Sequence, residues 1–147
     1  MHFEGSVNLS VDREKVWGFL TNPELVAKCA PGVESMEIVA PDEKFKAIAS
    51  IGLGNLKVRF NVDVEWTELS APSQAGLKAH GTAPGSVTDV TATMELSDAE
   101  NGGTLLDWTA DISVMGTIAS LASRMMGNVT EKLTQEFFQC MKAQIEA

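Results

Sequence analysis

The amino-acid sequence predicts an α+β fold in which a strand and two short helices precede about six antiparallel strands and one long C-terminal helix. Three observations carry this. Apolar and polar residues alternate through most of residues 45–114, as strands with one buried face require. From Thr117 onward the apolar spacing lengthens to between three and four residues, the period of a helix lying on a sheet. Two short segments between the first strand and the meander each begin with a helix-capping residue. A chain of 147 residues, 44% hydrophobic and 21% charged, can bury one real core. No repeat, linker or low-complexity stretch divides it, so a single domain over residues 1–147 is expected.

The elements follow in order. His2 to Leu9 puts Phe3, Val7 and Leu9 on one side and Glu4, Ser6 and Asn8 on the other, a half-buried strand. Ser10 is the expected cap of a first helix, with Asp12 near its positive end and Val16, Trp17, Phe19 and Leu20 supplying its apolar face. Asn22-Pro23-Glu24 restarts helix with a cap, proline at the first helical position and an acid in the first turn; Pro31-Gly32 ends it after Cys29. Leu56 to Trp66 is the clearest strand, preceded by Phe45 to Leu53 in the same sense. Gly54-Asn55 between them is a two-residue hairpin turn. Closing it pairs Leu53 with Leu56, Ile51 with Val58 and Ala49 with Phe60, a register that a slip by one residue would destroy. Ala71-Pro72-Ser73 turns the chain again, so that Lys78 comes beside Glu65. Gly81 to Gly85 makes the next corner, and Asn101-Gly102-Gly103 separates the strands carrying Val90 to Leu96 and Leu106 to Val114. The last helix, about Gly116 to Glu146, carries Ile118, Leu121, Met125, Val129, Leu133, Phe137, Met141 and Ile145 on one stripe. Gly127 near its middle costs about 1 kcal/mol relative to Ala and marks a bend or a close backbone approach.

A sheet with one apolar face must be covered, and only the last helix is long enough to cross so many strands. A twisted sheet around one helix touches it along a seam, so the rest of the concavity holds either large side chains or a ligand. The candidate lining is Phe60, Val62, Leu77, Met94, Trp108 and Ile112 from the sheet with Met115, Leu121, Met125 and Val129 from the helix and its approach. Methionine adapts to irregular apolar shapes, although at helical spacing it is more often ordinary core. Arg124 interrupts the helix among apolar neighbours; its bland role is to snorkel to solvent, and its functional one is contact with a ligand head group at the mouth. The half of the helix from Leu133 through Phe137 to Met141 is expected to be plain core against Trp17 and Leu20.

Composition excludes several functions. A formal charge of −9, with eleven scattered Lys and Arg residues, repels nucleic acid and anionic lipid. No run approaches the ~18 apolar residues of a membrane span, and Met1-His2-Phe3-Glu4 does not begin a secretory signal, so a cytoplasmic protein is expected. Cys29 and Cys140 stand far apart with no ligand-spaced partner, which points to reduced cysteines, no zinc and no disulfide. No catalytic residue and no metal site is expected. His80 pairs blandly near Asp63, His2 sits at a chain end, and Asp107 and Asp111 have the spacing of solvated residues on a wet face.

The order Val16-Trp17 with Leu20, Pro23-Glu24, Cys29-Ala30-Pro31-Gly32 with Glu34, Gly52-Leu53-Gly54, Pro72, Gly103-Thr104-Leu105-Leu106, Gly116, Ser123-Arg124 and Phe137-Phe138 resembles the CoxG family of carbon monoxide dehydrogenase proteins. That family lies within the START-like, or SRPBCC, helix-grip superfamily. The resemblance implies a seven-stranded antiparallel sheet gripping the last helix, with a hydrophobic tunnel between them. It also implies a non-catalytic carrier or adaptor of a molybdenum-dependent carbon monoxide dehydrogenase or related hydroxylase, with a quinone or other apolar molecule bound and no covalent cofactor. Members reach the membrane through a flexible tail with an apolar end. Ala147 follows directly on the helix, so that tail is expected to be absent here, leaving peripheral contact at the inner face of the membrane. The alternatives are a small cyclase or aromatase, which other branches of the superfamily provide, and an assembly factor with a collapsed core.

Overall fold

The computed structural model describes residues 1–146. Strand β1 (His2–Leu9) leads into helices α1 (Arg13–Leu20) and α2 (Pro23–Cys29), then strands β2 (Val33–Ala40), β3 (Lys44–Leu53), β4 (Leu56–Ser70), β5 (Gln74–Ala83), β6 (Ser86–Asp98) and β7 (Thr104–Gly116), and finally helix α3 (Ala119–Ile145). The seven strands form one antiparallel sheet in the order β1-β7-β6-β5-β4-β3-β2. At 1.5 Å per residue, the 27 residues of α3 span about 40 Å, enough to cross its apolar face.

Local chemistry explains the ends of the elements. Asn22 caps α2 by accepting from the Glu24 N–H at 3.1 Å, with Pro23 in the first turn. At α1 the cap is Asp12 rather than Ser10: its carboxylate accepts from the Lys15 N–H at 2.9 Å. Ser10 instead donates its backbone N–H to Glu146 at 2.7 Å, tying the end of α3 to the loop after β1. Gly32, at φ +84, ends the α2 loop where a Cβ would stand 2.1 Å from the Ser50 carbonyl oxygen, so only glycine fits.

The β3–β4 register pairs Leu53 with Leu56, Ile51 with Val58 and Ala49 with Phe60, and Lys78 lies opposite Glu65. Strand β2 has weak alternation, and its pairing with β3 shifts register twice, as an edge strand tolerates. On the wet face His80 bonds Asp89 at 2.6 Å, not Asp63, although both lie opposite it. Ser6 donates to Asp107, and His2 bonds Asp111 at 2.8 Å. That bond, followed by the nearby Asp111 and Glu4 charges, holds the His2 imidazole above its ordinary pKa despite some desolvation.

The core is split between two ends. At the lower end Leu9, Val16, Phe19, Leu20, Leu96, Leu106, Met141 and Ile145 form one buried cluster; at the upper end Leu53, Val58 and Phe60 form another. The lower cluster also contains Cys29, which is disulfide-bonded to Cys140. This overturns the expectation of two free thiols. The residues are 111 apart in sequence, yet their Cα atoms are 5.4 Å apart, a separation that a disulfide can bridge. The bond pins α2 to the last turns of α3.

Candidate ligand-binding cavities

Between the two clusters the inward face of the sheet is only half buried. Val62, Ala79, Val90, Ala92, Ala110, Ile112 and Val114 all point toward α3 yet remain partly accessible. The reason lies in the residue types: Ala79, Ala92 and Ala110 carry single methyl groups at the sheet centre, where larger side chains would reach the helix. Two cavities result.

The upper one, about 230 Å³, is lined by Ile51, Phe60, Val62, Ala79, Gly81, Val90, Ile112 and Val114 from the sheet and Ile118, Ala122, Met126, Val129 and Leu133 from α3 and its approach, with Thr88 as a hydroxyl-bearing member. The lower one, about 170 Å³, is lined by Trp66, Leu77, Ala92, Met94, Leu106, Trp108 and Ala110 under Leu20, Phe137 and Phe138. Each is larger than the ~150 Å³ apolar cavity that stays dry and takes a benzene-sized guest. Among the described residues no ionisable side chain lines either space. An unpaired charge brought there would lose its hydration without compensation, so the chemistry favours an uncharged apolar guest.

The expected lining divides accordingly. Phe60, Val62, Ile112 and Val129 face the upper cavity, and Leu77, Met94 and Trp108 the lower. Leu121 and Met125 pack instead on the Leu53, Val58 and Phe60 cluster, because α3 is rotated so that Ala122 and Met126 face the space. Met115 is 60% exposed: Ile112 and Val114 point inward, so strand alternation sends Met115 to the opposite face. Arg124 is exposed and lines neither cavity. Leu133 and Phe137, expected to be plain core, line the upper and lower spaces respectively, whereas Met141 is fully buried core.

Sequence reasoning also missed the small residues. The inward alanines were a readable signal, since strand positions facing a filled core favour larger, β-branched side chains. Gly5 has a related part: a Cβ there would stand 2.9 Å from Nε1 of Trp108. Glycine therefore lets the indole lie across β1, its register partner, and keeps the lower cavity open.

An antiparallel sheet curved around a long C-terminal helix, with apolar space between, defines a START-like ligand-binding fold. The chain is similar over 99% of its length, and 97% of the other chain, to a START superfamily protein from Mycobacterium smegmatis (TM-score 0.74, 10% identity). It is similar likewise to an aromatase/cyclase from a Streptomyces species (TM-score 0.77, 15% identity, 99% and 93% covered). A conserved protein from Geobacillus kaustophilus superposes with a TM-score of 0.91 at 27% identity, covering 99% of this chain and 95% of that one. The model of the carbon monoxide dehydrogenase CoxG family matches residues 5–146, and the chain belongs to that family. A search of curated protein sequences found no match. No helix among the described residues is long and apolar enough to cross a membrane, and no group of three metal-ligating side chains occurs among them.

Proposed function

We propose that this protein is a non-catalytic carrier or adaptor. It holds an uncharged apolar molecule, a quinone or a similar lipid, between the sheet and α3, and serves a molybdenum-dependent carbon monoxide dehydrogenase or related hydroxylase from the cytoplasmic side of the membrane. The observation that carries the reading is the pair of apolar, ligand-sized cavities between two separately packed core clusters. Family membership supports the choice of partner. The acidic surface, formally −9, suits a partner with a basic patch and would speed its encounter.

The energetics favour exchange over permanent retention. Burying about ten ligand methylenes yields on the order of 8 kcal/mol. Ordering costs reduce that gain, so micromolar affinity is expected and the site can load and unload. A cyclase or aromatase would need polar groups aimed at its substrate. The likeness to the aromatase/cyclase is one of fold, and the apolar lining supports the carrier instead. Native mass spectrometry and organic extraction of the purified protein test this reading. A co-purified or added quinone-like molecule bound at one equivalent supports it; absence of binding after quinone is supplied refutes it.

A further inference from the structure

The two cavities lie against consecutive rows of the same sheet face. Cross-strand register places Ala79, Val90 and Ile112 in one row and Leu77, Ala92 and Ala110 in the next. The first row lines the upper cavity and the second the lower. Rows two residues apart along a strand are separated by about 7 Å, so no sheet residue of the inward face stands between them. On α3 the same division falls between Leu133, above, and Phe137, one turn below. The boundary is therefore made of side chains, with the Phe137 ring at its centre. That ring stands edge-on to Phe138 at 5.4 Å and 6.4 Å from Phe19. It is only half buried, and rotation about its two side-chain torsions can move it without moving backbone.

We propose that Phe137 is a movable partition, and that the site takes a two-part ligand whose ring or head occupies one cavity while an apolar chain passes Phe137 into the other. This rests on the carrier reading and specifies the ligand class: elongated, uncharged and apolar throughout. Separately each cavity fits a ring; joined, they reach the range of ~300–1,000 Å³ typical of sites that enclose a whole small ligand. The same arrangement would let short and long ligands differ in how they compete, because a long one excludes guests from both spaces.

Calorimetric titration with n-alkylbenzenes from ethylbenzene to decylbenzene tests the proposal in the full chain. Affinity should rise by about fourfold per methylene beyond the length the upper cavity alone can hold. Ala92→Phe, which fills the lower cavity, should stop that rise while one equivalent of ethylbenzene still binds. Phe137→Leu should speed decylbenzene association several-fold and leave ethylbenzene unaffected. In a Trp17→Phe background the remaining tryptophans, Trp66 and Trp108, both line the lower cavity. Bound decylbenzene should then protect them from quenching by bromobenzene. Equal gains per methylene in wild type and Ala92→Phe, unprotected tryptophans, or unchanged decylbenzene kinetics in Phe137→Leu would overturn the partition while leaving the carrier standing. Failure of every alkylbenzene to bind wild type would overturn the carrier reading itself.

Discussion

Reduction of the Cys29–Cys140 disulfide should cost most of the stability that any single change can remove without displacing an atom of the core. The bridge closes a loop across a sequence separation of 111. For loops of about 100 residues, lost loop-closure entropy in the unfolded chain corresponds to about 4.7 kcal/mol, and native bridges in practice contribute about 2–5 kcal/mol. A domain of this kind has only about 5–15 kcal/mol in total, so the reduced protein should stay folded but become marginal. With a urea dependence of about 2 kcal/mol per molar, a loss of ~4 kcal/mol moves the unfolding midpoint down by about 2 M. Urea titration followed by tryptophan fluorescence, with and without dithiothreitol, measures this directly. Cys29→Ala with Cys140→Ala should fall at or below the reduced wild type, because Cys29 is only 6% exposed and its buried sulfur is then lost as well. Two reactive thiols in the denatured, unreduced protein, or a midpoint indifferent to reductant, would refute the reasoning. Since cytosol keeps most thiols reduced, alkylation in intact cells also shows which form operates there.

Other expectations follow from single residues. Gly127→Ala should raise stability by up to about 1 kcal/mol, because a Cβ there meets no neighbouring atom; a lower melting temperature would reveal a bend that the helix needs. Gly116→Ala should destabilise by more than about 1 kcal/mol, since φ is +103 and the new Cβ would fall 2.1 Å from the Gly85 carbonyl oxygen. Gly5→Ala should push the Trp108 indole toward the lower cavity, visible as a shifted emission maximum and weaker binding of ring-sized guests. The raised pKa of His2 means that its contribution to stability is full below its unfolded value of 6.5 and fades as pH rises through the folded value. His2→Gln should therefore lower the melting temperature at about pH 5.5 but not at about pH 8.5. Glu34 runs the other way. The Ser50 hydroxyl bond first, then the Arg59 and Lys57 charges, hold its pKa below 4.5 against some desolvation. Its contribution is present above 4.5 and lost as pH falls through the folded value, so Glu34→Gln should matter at neutral pH and cease to matter in acid.

Much of the scaffold is legible in the sequence because short-range rules determine it. Gly54-Asn55 set between alternating strands specifies the β3–β4 register residue by residue, and Asn22-Pro23 places the start of α2. The cap of α1 lies two residues beyond the expected one because Ser10 and Asp12 are both good caps, and the choice depends on Glu146, which binds the Ser10 N–H from the far end of the chain. The disulfide is illegible for a similar reason: nothing local in Cys29 or Cys140 says that α2 and α3 meet. The site is half legible. Strand parity identifies Phe60, Val62, Trp108 and Ile112 as inward, and applied consistently it excludes Met115. The rotation of α3 depends on packing against both clusters, and it exchanges Leu121 and Met125 for Ala122 and Met126. The division into two cavities depends on the Phe137 ring, which no sequence period encodes.

The central claim is that the space beneath α3 binds an uncharged apolar ligand, and equilibrium titration of a short-chain quinone into wild type and Ala79→Leu tests it most directly. Ala79 lines the upper cavity and is half buried, so leucine there occupies ligand space without introducing a charge. Binding to wild type at micromolar affinity, weakened about tenfold or more in a folded Ala79→Leu protein, is the predicted result. No binding to wild type, or equal binding by both, would contradict it.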